Sequence, residues 1–363
     1  MFGHKYVPSR EGGVEIVVEN LATRLVSLGH DVTLYNRKRK EYKSINEFKG
    51  CKIESVYTIN KRNLDAIVYS FFACQKAKKL IKKKAVDVVH FHAEGPCFFL
   101  NLLPHRKKRP NTKIVVTIHG LDWQRGKWSG FGSKVLKKCE KKIVKYADEI
   151  IVLSKNVQNY FKETYGRETF FIPNGVEIQP YESPDIISKK YGLQKDDYLL
   201  FLARIVPEKG LHYLIDAWKR IDESIKKGKK LVVAGGSSHS NEYYNSIVES
   251  VKNRDDILMT GFVEGRTLQE LFSNAFVYVL PSDLEGMPMS LLEALSYKRV
   301  CLVSDIDENR IDEENSYFFK HSNVDSLIEK LIEVLENRKT FKPNNSLSDW
   351  NDVVKKTLLV YGK

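Results

Sequence analysis

No stretch of the chain reaches the roughly 18 uncharged apolar residues that span a bilayer. The longest apolar runs, such as Ile114–Ile118 and Leu199–Leu202, are the length of a strand. No charged-then-apolar leader opens the sequence, so neither a signal peptide nor a membrane anchor is expected. Cysteine is sparse and unpaired in spacing: Cys51, Cys74, Cys97, Cys139 and Cys301 form no CxxC, which argues against a disulfide framework and a zinc site and for a reducing, cytoplasmic compartment. Acidic residues are scarce in one half only. Residues 1–180 carry 34 Lys+Arg against 17 Asp+Glu, whereas residues 181–363 carry 25 against 29. The basic excess sits in Arg37–Lys40, Lys76–Lys84, Arg106–Arg109 and Lys134–Lys145. It reads either as a solvated face or as a surface for an anionic partner; with no nucleic-acid motif in the chain, an anionic membrane or a lipid-phosphate acceptor leads and nucleic acid is not expected.

The chain does have, almost from end to end, strand-like segments alternating with helix-like ones. Strands are expected at Asp31–Tyr35, Asp87–Phe91, Lys113–His119, Glu149–Leu153 and Thr169–Ile172, then at Tyr198–Leu202, Lys230–Ala234, Ile257–Thr260, Val277–Leu280 and Val300–Val303. Helical apolar spacing fills the gaps, as in Val14–Leu28, Asp65–Lys84 and Lys134–Tyr146. Three prolines in Pro173–Pro184 mark a linker. At 363 residues the chain suits two domains: 1–175, 176–345, and a closing helix in 346–363 that packs back on the first. Repeated strand–helix–strand units predict an α/β fold of two facing Rossmann-like domains with parallel sheets, with ligands at the strand carboxyl ends in the cleft between them. The loop Pro8–Gly13 needs a strand in front of it, yet only Met1–Gly3 precede His4, so a clipped first strand or an earlier natural start is expected.

The strongest motif runs from Pro281 to Glu293 (PSDLEGMPMSLLE), directly after a buried strand and across a helix start. Glu285 lies in the loop and Glu293 about one turn into the helix; between them Gly286, Met287, Pro288, Met289, Ser290 and Leu291 lead into the first backbone N–H groups, which suit a diphosphate. A loop carboxylate can accept hydrogen bonds from sugar hydroxyls, and one on the helix can hold a ribose diol. Arg204, ending a strand, and Lys209, opening the next helix, add two cations able to neutralise a departing diphosphate. Gly12-Gly13 is a glycine turn into a helix, permitting close backbone approach to phosphate or acceptor, and His119 ends a first-domain strand where it can bond the transferred sugar. Gly235 and Gly261, each following a strand, are counted with the donor-binding residues. Arg10, Glu15, Asp122 and Trp123 are acceptor-side candidates. Asp305-Ile306-Asp307 matches a metal-holding D-x-D and His90/His92 alternate on one strand face, but the first follows a strand in a doubly wound domain and the second lacks further ligands, so no metal and no cofactor are expected.

In this order the motifs resemble glycosyltransferase family 4, retaining enzymes of the GT-B fold, over nearly the whole length. The resemblance implies that the glycine loop approaches the donor phosphates, that His119 contacts the sugar, that Arg204 and Lys209 bind the diphosphate, and that Glu285 and Glu293 hold sugar and ribose. It implies backbone donation to sugar and phosphate from Gly286–Leu291. The segment Gly120–Trp128 and the opening P-x-x-x-G-G-x-E look like the bacterial subset that builds surface polysaccharides, some of it rhamnosyltransferase-like. The expected function is transfer of a sugar, with retention, from a nucleotide-diphosphate sugar to a glycan or lipid-linked acceptor, by a protein that is cytoplasmic and peripheral at the inner face of the cell membrane. Two alternatives stay open: a nucleotide-sugar epimerase or hydrolase of the same architecture, and a non-catalytic membrane-surface binding protein. A dehydrogenase is disfavoured because no G-x-G-x-x-G follows a strand.

Overall fold

The computed structural model describes the chain except Glu11, Arg62, Asn63, 125–129 and 238–240. The chain divides into two compact units, Met1–Gly175 with Asp349–Lys363, and Val176–Ser348.

In the first unit β1 (Thr33–Arg37) lies parallel to β3 (Cys51–Val56), and β2 (Glu47–Phe48) closes that edge antiparallel. A second group, β4 (Val88–His92), β5 (Lys113–Ile118), β6 (Glu149–Val152) and β7 (Phe170–Phe171), is wholly parallel. Residues Met1 and Phe2 stitch the groups together. The Tyr35 N–H donates to the Met1 carbonyl at 3.1 Å, while Phe2 and β4 exchange bonds of 3.1 and 2.9 Å through His90 and His92. The strand expected before the glycine loop is thus present as a two-residue bridge, pinned by the fully buried Phe2 ring against Phe91 at 4.3 Å. The helix Trp350–Tyr361 belongs to this unit. Its Tyr361 hydroxyl meets His90 Nδ1 at 2.7 Å, and Lys113 Nζ donates to the Val360 carbonyl at 2.9 Å.

The second unit is one six-stranded parallel sheet: β8 (Tyr198–Leu202), β9 (Lys230–Ala234), β10 (Ile257–Gly261), β11 (Val277–Leu280), β12 (Cys301–Ser304) and β13 (Ser316–Phe319), in the order β10-β9-β8-β11-β12-β13. Its central strands are largely apolar because both faces are covered. Leu199 and Phe201 join one core with Leu231, Val233, Val277 and Val279, while Tyr198 and Leu200 join the opposite one with Val232, Tyr278 and Leu280. The helix Leu211–Arg220 buries Leu211, Leu214, Ile215 and Trp218, a 3.6-residue stripe. From β8 the chain winds outward through β9 and β10, then returns to place β11 on the other side of β8. The strand order therefore reverses between β8 and β11, and ligands of such sheets bind beyond the carboxyl ends at that switch point.

Candidate active site

Both motifs singled out in the second half leave the switch point, one from each central strand. After β8 comes Arg204, half-buried, then the turn Pro207–Lys209 and Gly210; after β11 comes Pro281–Glu285. Gly210 has φ +66° and lies so close to the second loop that a Cβ there would come within 1.9 Å of the Pro281 carbonyl. The Asp283 N–H donates to the Glu208 carbonyl at 2.9 Å. With the loops locked together, Lys209 Nζ reaches Glu285 Oε1 at 2.5 Å, and Ser282 Oγ donates to the same oxygen at 2.6 Å. The two charged side chains are 14% and 6% exposed, so the pair is partly desolvated and oriented before any ligand arrives.

The helix Met289–Ser296 begins just beyond, after Pro288, without a side-chain cap. Leu291 was expected among its open donors; instead its N–H donates to the Pro288 carbonyl at 3.1 Å, because the first turn tightens to i→i+3 bonding. The first N–H groups of the helix are therefore those of Met289 and Ser290. The buried Tyr278 hydroxyl donates to Ser290 Oγ at 2.7 Å and fixes that side chain. Glu293 is half-buried one turn on, and Gly286 is buried in the loop with half-buried Met287 and buried Pro288 beside it.

Gly235 and Gly261 lie on the same edge. Gly235 (φ +146°) donates to the Gly261 carbonyl at 2.8 Å, and a Cβ on it would meet the Ala203 carbonyl at 1.9 Å. Glycine at 235 is thus demanded by the close approach of the β8 and β9 exits. Asp305, of the D-x-D, directs its carboxylate at Arg310 at 2.6 Å.

The first unit gathers its candidates at the carboxyl edge of its own sheet. Gly12 precedes the helix Gly13–Ser27, and a Cβ there would lie 2.5 Å from Glu15 Oε2. Glu15 was expected to face an acceptor; it is instead buried and accepts the Lys5 N–H at 2.8 Å, because the loop folds over its own helix start. Arg10 is exposed and approaches Glu19 at 3.6 Å. Trp123 lies beneath Lys137 Nζ at 4.1 Å, and its indole N–H has no partner among the described residues. Of the segment Gly120–Trp128, Arg125 to Trp128 lie outside the described residues, as does Glu11 of the glycine loop.

His119, half-buried after β5, meets His92 across the sheet at 3.2 Å, Nε2 to Nδ1. His92 and His90 share a face, ring centroids 4.2 Å apart, and His90 is satisfied by Tyr361 and Thr117. Burial, reinforced by the neighbouring histidines, holds the His92 imidazole well below its ordinary range, so it is neutral. Behind Asp122 sits Glu94, a residue the sequence reading passed over. Its Oε2 accepts the Asp122 N–H at 3.1 Å; burial, then the charges of Asp122 and Glu140, hold its carboxyl well above the usual carboxylate range. The alternation His-Phe-His-Ala-Glu leading out of β4 is the signal that marks both residues.

Two adjoining family models cover most of the chain. Glycosyltransferase Family 4 matches residues 11–179, and Glycosyl transferases group 1 matches residues 184–349. An uncharacterized glycosyltransferase of Methanocaldococcus jannaschii is 27% identical over 98% of this chain and 96% of its own length. The UDP-Gal:alpha-D-GlcNAc-diphosphoundecaprenol alpha-1,3-galactosyltransferase of Escherichia coli is 25% identical over 72% of this chain and 69% of its own. Among solved structures, Anabaena HepE in complex with UDP and glucose superposes with a TM-score of 0.80 over 99% of this chain and 98% of that one, at 14% identity. A model match to each half, together with likeness to glycosyltransferases along almost all of the sequence and the fold, leads to one conclusion: the chain belongs to glycosyltransferase family 4 and has the GT-B fold.

Proposed function

We propose that the protein transfers a hexosyl or deoxyhexosyl group, with retention, from a nucleotide-diphosphate sugar to a glycan or lipid-linked acceptor in surface-polysaccharide synthesis. The observation that carries the reading is the Lys209–Glu285 pair, held 2.5 Å apart at the switch point and next to a helix start. In it, Lys209, Arg204 and the N–H groups of Met289 and Ser290 neutralise the leaving diphosphate, Glu285 accepts bonds from sugar hydroxyls and Glu293 from the ribose. The acceptor hydroxyl attacks the face from which the diphosphate leaves, and a diphosphate oxygen takes its proton, so no protein nucleophile is required. Catalysis is then electrostatic and positional. The reading gives the cationic work to protein side chains and assigns no metal or cofactor. His119, oriented by His92, bonds the transferred sugar.

The relatives' printed specificities make uridine the first base to test. The five free, buried cysteines suit the reducing side of a membrane, and we place the protein on the cytoplasmic side, at the inner face. No helix among the described residues is long and apolar enough to cross a membrane. The test is thermal shift with UDP, dTDP, GDP, CDP and ADP, followed by donor turnover with and without acceptor. Stabilisation by one nucleotide and acceptor-dependent turnover are expected. Nucleotide release at the same rate without acceptor would make it a hydrolase or epimerase, and no stabilisation by any nucleotide would end the transferase reading.

A further inference from the structure

The helix Leu64–Lys82 packs on the first unit through Tyr69, Ala73, Cys74, Ala77 and Ile81, all buried. Its outward side is apolar where a solvated helix would be polar. Leu64 and Ile67 are each 46% exposed, Phe72 is 40% and Phe71 37%. Tyr57, the residue after β3, is 56% exposed and sets its ring edge-on to Phe72 at 5.3 Å. From there the contacts run on without a break: Phe72 to Phe71 at 5.4 Å, Phe71 to Phe99 at 5.4 Å, Phe99 to Phe98 at 5.1 Å. Lys142 closes the row, its Nζ 4.2 Å above the Phe98 ring.

Such a contiguous exposed ridge marks an interaction surface. Its flanks say what it meets. Lys79, Lys82, Lys83 and Lys84 are exposed at the far end of the same helix, and Lys134, Lys138, Lys141 and Lys145 are exposed along the helix Phe131–Tyr146 beyond the ridge. We propose that this ridge of aromatic and aliphatic side chains, flanked by exposed lysines at the end of its own helix and along the helix Phe131–Tyr146, docks the first unit on an anionic lipid bilayer. Aromatic rings lodge among headgroups and the acyl boundary, while lysines beside them reach anionic phosphates, each near the surface adding attraction. An anionic membrane offers both complements at once, an acyl boundary for the aromatic and aliphatic side chains and phosphates for the lysines.

The ridge starts at the carboxyl end of β3, on the same sheet edge from which the Gly12-Gly13 loop and His119 leave. A bilayer seated there would hold a lipid-linked acceptor beside the Gly12-Gly13 loop and His119 of the same unit. That last step rests on the proposed transfer; the docking itself does not.

The experiment is sedimentation of the full chain with phosphatidylcholine vesicles, with and without about 30% phosphatidylglycerol. Wild type is compared with Leu64→Ser/Ile67→Ser and with Phe71→Ser/Phe72→Ser; the first pair is the safer for folding, since Phe71 also touches Phe99. Binding to the anionic vesicles only, weakened at high salt and at least about tenfold weaker in each double variant, is expected. Equal partition onto both vesicles, or unchanged binding in both variants, overturns the proposal. So does a wild-type dimer that either variant dissolves, which would make the ridge a self-association surface. Nucleotide-dependent thermal shift is read in parallel. Its loss in wild type with vesicle binding intact would fell the transferase reading and leave the docking surface standing.

Discussion

Replacing Lys209 with alanine removes the cation that Glu285 contacts at 2.5 Å and leaves a carboxylate only 6% exposed. For a fully buried pair the loss of one partner costs about 3–5 kcal/mol. Here the remaining exposure and the Ser282 hydroxyl, which still donates at 2.6 Å, reduce that to about 1–3 kcal/mol. For a unit of this size the melting temperature should fall by roughly 2–10 °C. Glu285→Ala should cost a similar amount. The double variant should be less unstable than the two single losses added together, by about 1–2 kcal/mol, since no orphaned charge remains. Function should not follow that recovery. Nucleotide stabilisation should vanish in Lys209→Ala and in the double variant, while Glu285→Ala should keep the nucleotide and lose turnover. The assay is thermal denaturation of all four proteins with and without the best nucleotide, plus donor turnover. If the double variant regains nucleotide stabilisation along with its stability, the pair is structural and the site assignment fails.

Three further outcomes follow from particular contacts. Glu94 has a folded pKa above its unfolded value, so the native state binds the extra proton. Its contribution is therefore present below the unfolded carboxyl pKa and is lost as pH rises from there toward the folded one. Glu94→Gln, which mimics the protonated acid, should gain stability relative to wild type between about pH 5 and 8 in urea unfolding, and a constant difference across that range would refute the protonated state. Gly210→Ala drives a Cβ into the Pro281 carbonyl at φ +66°. It should cost about 2–4 kcal/mol by thermal or urea unfolding and weaken nucleotide binding, whereas a cost under about 1 kcal/mol would show the two loops to be independent. Tyr361→Phe leaves buried His90 Nδ1 without its 2.7 Å partner and should lower stability by about 1–2 kcal/mol in urea unfolding; no change would mean that the closing helix is held by its apolar contacts alone.

Much of the fold was legible because its strands are buried on both faces. Tyr198–Leu202, Lys230–Ala234 and Val277–Leu280 are apolar or nearly so between amphipathic helices, and the structure assigns those same residues to strands. The elements the sequence concealed are of another kind. Ser316–Phe319 follows a run of acidic loop residues and offers only three apolar residues, Tyr317 to Phe319, too short a run to stand out; it becomes a strand by pairing with Cys301–Ser304. Cys51–Val56 alternates only as far as Glu54, too briefly to stand out, and is held as a strand by its pairing with β1. Glu15 could not be told from an acceptor-facing residue, since its burial depends on Lys5 ten positions away folding back over it.

By itself the sequence determined most of the strands and helices, those with strong apolar runs or periodicity, and that a carboxylate, two cations and a helix start follow buried strands, because such patterns and chain order are local. Tertiary structure alone decided that those loops leave the two strands on either side of the switch point, since strand order is set by long-range pairing. It alone joined Lys209 to Glu285 across 76 positions, placed Glu94 behind Asp122, and turned Phe71 and Phe72 outward. The apolar start of Leu64–Lys82 wraps more than one face of the helix, and only the packed sheet fixes which face is buried and which meets its surroundings.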